Sequence, residues 1–196
     1  MVFMIERIVL ASQSPRRKQL LEWAEIPFDI IVKETAETYP EGLAIEKVPV
    51  YIAREKALAV KPNIAESKII LAADTVVVLN DRIIGKPKDR NDALAILSSL
   101  SGQMHRVITG VVLMRNEDEL SFFDSTEVAF HELTESQISF YVDKYNPYDK
   151  AGAYAIQEWI GVVGIKEVNG DFYNVMGLPV SRVVKHLQQM GFKTHI

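Results

Sequence analysis

Ile69-Ile70-Leu71-Ala72-Ala73-Asp74-Thr75 sets five apolar residues directly before a carboxylate and a hydroxyl. An apolar run without polar alternation is expected of a strand buried on both faces. The run stops at Asp74-Thr75, which puts a carboxylate at a strand's carboxyl end, where ligands bind in open α/β sheets. Upstream, Ile8 to Ala11 reads as another short buried strand. Ser14-Pro15-Arg16-Arg17 supplies an N-cap and a proline at the first helical position, with Leu20, Leu21, Trp23 and Ala24 as the apolar face that follows. Phe28 to Val32 reads as a strand, and Val48 to Val60 as a helix with Pro49 in its first turn. Downstream, Val76 to Leu79 and Arg82 to Ile84 flank the hairpin dipeptide Asn80-Asp81, and Asp89 caps a helix from Arg90 to Leu100. Arg106 to Arg115 and Leu120 to Phe130 are long and extended, and Thr134-Glu135-Ser136-Gln137 has the form of a capping box. Asn169-Gly170 predicts a second hairpin, between Ile160–Val168 and Phe172–Val175, and Pro179 opens a last helix. Strands and helices alternate, yet several strand pairs are hairpins. The fold class is therefore α/β with a mixed, twisted sheet.

The remaining properties bound the function. A chain of 196 residues is read as one domain, 1–196. Apolar residues make up 48% and charged residues 24%, a globular mixture. With 22 Lys and Arg against 26 Asp and Glu, the formal net charge of −4 argues against a nucleic-acid partner, which needs a basic face. Cysteine is absent, which excludes disulfides, thiolate metal sites and a cysteine nucleophile. No apolar span approaches the length of a transmembrane helix. The opening MVFMIERIVLAS has no basic n-region and already reads as a strand, so neither a signal peptide nor a membrane partner is expected. The expected location is cytoplasmic.

Chemistry-bearing residues fall in several short blocks. Ser12, Ser14, Arg16, Arg17 and Lys18 gather hydroxyls and three cations at a helix N-terminus, as a phosphate site requires. The dipole disfavours cations there, so they need an anion, although a solvated basic first turn is the simpler alternative. Asp74 would be costly to bury unless paired, bonded or metal-bound; capping a turn is its plainer role. Lys86 lies between Gly85 and Pro87 on a rigid backbone. Asp149 to Gln157 is a loop of small residues that permits close approach to a ligand, or simply a tight crossing of chains. Glu34 and Glu37 follow the second strand and either hold a divalent cation or face water. Lys56 is indistinguishable by itself from a helix-surface lysine. The chain contains neither GxxxxGK[ST] nor GxGxxG.

Their order is more specific than any one of them. Ala11-Ser12-Gln13-Ser14-Pro15-Arg16-Arg17, Ala53-Arg54-Glu55-Lys56-Ala57, Ala73-Asp74-Thr75, Gly85-Lys86-Pro87, Leu100-Ser101-Gly102, Asp149-Lys150-Ala151-Gly152-Ala153-Tyr154 with Gln157, and Val175-Met176-Gly177-Leu178-Pro179 closely resemble the Maf family. That family comprises nucleoside triphosphate pyrophosphatases, also called septum formation inhibitors, and the resemblance runs from about Ile8 to Leu187. It implies an α/β fold related to inosine triphosphate pyrophosphatases, with two lobes around a cleft and often a homodimer. It implies cleavage between the α- and β-phosphates with a divalent cation, Mg²⁺ or Mn²⁺. Asp74 matches the family's proton acceptor. Ser12, Arg16, Arg17, Lys56 and Lys86 match its phosphate-facing set; Arg16, Thr75 and Gln157 match positions tied to substrate choice. Where the family shows two consecutive acids after the second strand, this chain has Ala36-Glu37, which leaves Glu37 or Glu34 to join Asp74 on the metal. Pro15-Arg16-Arg17 and Ala153-Tyr154-Ala155-Ile156-Gln157 resemble the subgroup acting on dTTP and UTP, a nucleoside triphosphate being the expected partner. The alternatives are a nucleotide-binding regulator of cell division and a pyrophosphatase for methylated guanosine triphosphate. A carboxylate facing a polyanion favours catalysis over binding alone.

Overall fold

The computed structural model describes residues 6–193; the strand reading of residues 1–5 lies outside them. In chain order the elements are β1 (Ile8–Leu10), α1 (Pro15–Trp23), β2 (Phe28–Ile30), α2 (Val48–Val60), β3 (Ile70–Leu79), β4 (Arg82–Ile84) and α3 (Arg90–Leu100). They continue with β5 (Met104–Arg115), β6 (Asp118–Phe130), α4 (Glu135–Tyr145), α5 (Trp159–Gly164), β7 (Ile165–Asn169), α6 (Phe172–Met176) and α7 (Val180–Gln189). The seven strands form one sheet in the order β2-β1-β3-β5-β6-β7, with β4 also paired to β3. β1 is parallel to β2 and β3, whereas β3–β4 and β6–β7 are antiparallel. The sheet is mixed and the class is α/β. Among the described residues, no helix is long and apolar enough to cross a membrane.

Local chemistry explains most boundaries. Ser14 accepts the amide of Arg17 at the start of α1, Asp89 accepts that of Asp92 at the start of α3, and Thr134 and Gln137 form a reciprocal capping box at α4. Asn80 and Asp81 both have positive φ, +48° and +56°, as the tight β3–β4 hairpin requires.

Two expectations are corrected. The strand begun at Ile70 does not stop at Asp74: β3 continues through Asp74 and Thr75, both half-buried, to Leu79. A paired carboxylate can remain inside a strand, and Asp74 is paired with Lys56. Asn169-Gly170 is not a hairpin. Ile160 to Gly164 is helical, β7 pairs with β6 instead of with its successor, and Phe172 begins α6. The Asp171 carboxylate accepts the amides of Tyr173 at 2.7 Å and Asn174 at 3.3 Å, which starts a helical turn. Gly170 serves a close approach, since a Cβ there would lie 2.9 Å from Thr126 Oγ1.

The chain divides into two compact units. The first contains the described residues through Asp74, Thr109–Asp124 and the chain from Gly177; the second contains Thr75–Ile108 and Ser125–Met176. In the first unit Val9, Ala11, Ala53, Ala57, Val60, Ile70, Ala72, Val112 and Met114 form a buried cluster. Alanines at 53, 57 and 72 let α2 lie close to the sheet, which fixes where α2 carries Lys56. Gly110 completes that approach: a Cβ there would sit 2.2 Å from Val50 N and 2.3 Å from Pro49 C. These are backbone atoms and cannot rotate away. Gly110→Ala should therefore destabilise by about 1–3 kcal/mol through overpacking, read as a lower urea midpoint. An unchanged midpoint would show that α2 is free to shift. The second unit buries Leu97, Leu100, Ile108, Val128, Phe130, Ile138, Tyr141, Val142, Ile156 and Ile160.

Candidate active site

In the first unit, β1 delivers Ser12 and α1 delivers Arg16 and Arg17. Ser12 Oγ accepts the Ser14 amide at 3.2 Å and Arg17 Nη1 at 3.1 Å, while Arg17 Nε donates to the Gly177 carbonyl at 2.8 Å. Arg17 is only 8% exposed. Burial pushes its guanidinium below its ordinary pKa; the Asp74 carboxylate opposes that shift, Arg16 adds to it and Glu37 opposes it. Of the three cations grouped at this helix start, Arg17 thus points inward and ties the Ser12 turn to Gly177. Arg16 and Lys18 are half-buried.

Lys56 is the centre of the second grouping. Its Nζ lies 2.6 Å from Asp74 Oδ1 and 2.7 Å from Glu37 Oε1. The Lys56 and Asp74 side chains are 16% and 14% exposed and Glu37 is 42% exposed, so the Lys56–Asp74 contact is the less screened of the two. Glu37 reaches Lys56 from a loop residue with φ +46°, a conformation unusual outside glycine. Of the two acids considered from sequence, Glu37 is therefore the one brought to Lys56 and, through it, to Asp74; Glu34 is exposed. Ser12, Arg17, Lys56, Glu37 and Asp74 form one electrostatic neighbourhood within the first unit.

The second unit holds Thr75, Lys86 and Gln157. Thr75 is half-buried on β3, and Lys86 and Gln157 are exposed. The loops carrying Lys86 and Gln157 are joined by a bond from the Gly152 amide to the Gly85 carbonyl, 3.1 Å. Gly152 and Ala153 both have positive φ, +71° and +58°, and a Cβ on Gly152 would meet the Val77 side chain at 2.9 Å. Beneath this loop His105, 1% exposed, bonds Tyr154 Oη through Nε2 at 2.7 Å. Burial lowers the His105 pKa to about 4 and raises that of Tyr154. The spacing of the histidines shows no metal-ligand pattern at His105, and apolar spacing marks Tyr141 as a core position; neither says where an imidazole or a hydroxyl points. Among the described residues, no three or more His, Cys, Asp or Glu side chains form a group able to hold a metal by themselves.

Two relatives share this sequence over almost its full length. A dTTP/UTP pyrophosphatase of Cytophaga hutchinsonii is 51% identical over 93% of this chain and 84% of its own. One from Parabacteroides distasonis is 45% identical over 93% of this chain and 95% of its own. Among solved structures, the Staphylococcus aureus Ham1 protein is a distant likeness: TM-score 0.43, 15% identity, 65% of this chain and 73% of that one. The sequence model of the Maf-like protein family matches residues 7–190. The chain belongs to the Maf family.

Proposed function

We infer that this protein is a nucleoside triphosphate pyrophosphatase that hydrolyses dTTP and UTP to the monophosphate and pyrophosphate. The reading is supported by the names of the 51% and 45% identical relatives. The observation that carries the chemistry is the Asp74–Lys56–Glu37 cluster, a carboxylate pair held by one ammonium group.

Hydrolysis at the α-phosphorus forms a bond from water oxygen to phosphorus and breaks the bond to the bridging oxygen, releasing pyrophosphate. The chain must neutralise charge, position the triphosphate and accept the water's proton. Asp74 takes the role of general base, accepting that proton on a carboxylate oxygen. Lys56 holds Asp74 in place and adds positive charge beside it. Ser12 and Arg16 of the first unit and Lys86 of the second match the family's phosphate-facing set; Arg17, bonded to Ser12 and Gly177, orients the Ser12 hydroxyl and supplies a fixed positive field. Thr75, Arg16 and Gln157 match the family's positions for substrate choice, and Gln157 is assigned to the base. Uracil and thymine present acceptor, donor and acceptor at O4, N3–H and O2. The Gln157 carboxamide accepts from N3–H while donating to O4; adenine reverses that polarity with its N6 donor and N1 acceptor, whereas guanine repeats it at O6 and N1–H and differs through its N2 amine and its larger ring.

The family implies a divalent cation, and the donor set fits one. Asp74 and Glu37 are hard oxygen ligands that already converge on a single cationic atom. Two carboxylates without a complete protein cage suit Mg²⁺, which takes its other ligands from substrate phosphates and water. Asp74 and Glu37 would hold the ion, which when bound neutralises phosphate charge and acidifies water. The test is pyrophosphate release from a nucleotide panel. UTP and dTTP should turn over faster than GTP and ATP, excess chelator should abolish release, and Mg²⁺ or Mn²⁺ should restore it. Nucleotide binding without release would overturn the hydrolase reading; full activity in excess chelator would overturn the metal.

A further inference from the structure

We propose that Tyr141 is a positioning residue for base selection: its buried hydroxyl fixes the loop that carries Gln157. The inference rests on the reading of Gln157 as a base-facing residue. Tyr141 lies on α4, fully buried, and its hydroxyl has two defined partners on the loop. It accepts the Ala155 amide at 3.1 Å and donates to Glu158 Oε2. Ala155 and Glu158 bracket Gln157, and the Glu158 amide returns to the Ala155 carbonyl at 3.1 Å, closing a tight turn around it. Lys150 Nζ, 10% exposed, stands 3.7 Å from Glu158 Oε1, so the far end of the loop is drawn to the same carboxylate.

This geometry differs from ordinary packing. A side chain as exposed as Gln157 has no burial to set its rotamer or height, so its backbone must be set instead. The turn is strained nearby, at Ala153 with φ +58°, and strained turns persist only when surrounding bonds over-determine them. Tyr141 Oη supplies one bond on each side of Gln157. A phenylalanine in its place fills the same volume but leaves the buried Ala155 N–H without an acceptor and Glu158 without its donor. The Gln157 carboxamide is then free to drift, and discrimination between bases falls while the phosphate chemistry of the first unit remains.

The experiment is a double-mutant cycle read as the ratio of kcat/KM for dTTP to that for ATP, whose base reverses the hydrogen-bond polarity that Gln157 reads, using the whole chain with Mg²⁺. Tyr141→Phe should lower the ratio about tenfold, the effect of one lost buried hydrogen bond. Gln157→Ala should lower it at least as much. In the Gln157→Ala background, Tyr141→Phe should lower it no further. A general loss of folded protein reduces turnover of both nucleotides equally and leaves the ratio unmoved, so it cannot mimic this result. Amide exchange at Ala155 should accelerate in Tyr141→Phe, an observation independent of turnover. If Gln157→Ala shifts the ratio and Tyr141→Phe does not, the positioning role is wrong and the base reading survives. If Gln157→Ala itself leaves the ratio unchanged, the base reading is wrong and the proposal falls with it. Should Tyr141→Phe fail to fold, Glu158→Ala removes the hydroxyl's acceptor at a partly exposed side chain and must lower the ratio in the same direction. An unchanged ratio there is equally decisive against the proposal.

Discussion

Asp74→Asn should retain the native fold and lose at least about 10²-fold in kcat on dTTP, the scale of a missing general base. Asparagine preserves the shape of the side chain inside β3 and can still accept a hydrogen bond from Lys56. It can neither take the water's proton usefully nor serve as an anionic ligand. The fold should survive because Lys56 keeps a second carboxylate, Glu37, at 2.7 Å and is not left as an unpaired, largely buried cation. Glu37→Gln provides the contrast: Lys56–Asp74 remains, so turnover should fall far less at saturating Mg²⁺, with the Mg²⁺ requirement raised. Steady-state kinetics with near-UV circular dichroism separate these outcomes. Near-normal kcat in a correctly folded Asp74→Asn protein would remove Asp74 from the mechanism and leave the Lys56 cluster as a structural ion pair.

What the sequence disclosed followed from how local each signal was. Ser14, Asp89 and Thr134 were readable as caps because each accepts an amide only three residues ahead. The β3–β4 hairpin was readable because Asn80 and Asp81 both tolerate left-handed backbone. Asn169-Gly170 misled for the same reason in reverse: its glycine answers to the nearby Thr126 side chain, a distant partner in sequence. At the site, the order of motifs named Asp74, Lys56 and the Ser12–Arg17 block. It did not disclose that Lys56 joins Asp74, 18 residues on, to Glu37, or that Arg17 turns inward to Gly177. Those pairings depend on where α2 and α1 pack, which small residues such as Ala53 and Gly110 decide through volume and not through any chemical signature of their own. Tyr141 illustrates the same limit, since its spacing on α4 marks a core position and its hydroxyl is invisible to periodicity.

His105 should make the protein's stability fall steeply between pH 6.5 and 4. Its imidazole is neutral in the folded state, with burial holding the pKa near 4 against 6.5 for a solvated histidine. The Phe130 and Tyr154 rings stand edge-on to it, with centroids 5.2 and 5.4 Å away. Nε2 has Tyr154 Oη as its partner, whereas Nδ1 has no hydrogen-bond partner among the described residues. A second N–H on the imidazolium would therefore be charged, buried and unmatched, which is the physical origin of the low value. The sign follows from proton binding. Above about pH 6.5 neither folded nor unfolded His105 holds the extra proton, and the residue contributes no slope. As pH falls below that value the unfolded chain takes up the proton while the folded one does not, so stability declines until the folded pKa is reached. A separation of about 2.5 pKa units corresponds to roughly 3 kcal/mol by pH 4. His105→Gln keeps a hydrogen-bonding side chain toward Tyr154 and cannot titrate. Urea unfolding at pH 6.5, 5 and 4 should show the native protein losing roughly 3 kcal/mol more than the variant across this range. Exposed pairs such as Arg7–Asp29 and Arg90–Asp143 weaken in acid in both proteins alike and cancel in the comparison. Parallel pH curves for the two proteins would mean that His105 accepts its proton in place, with Nδ1 finding a partner when charged.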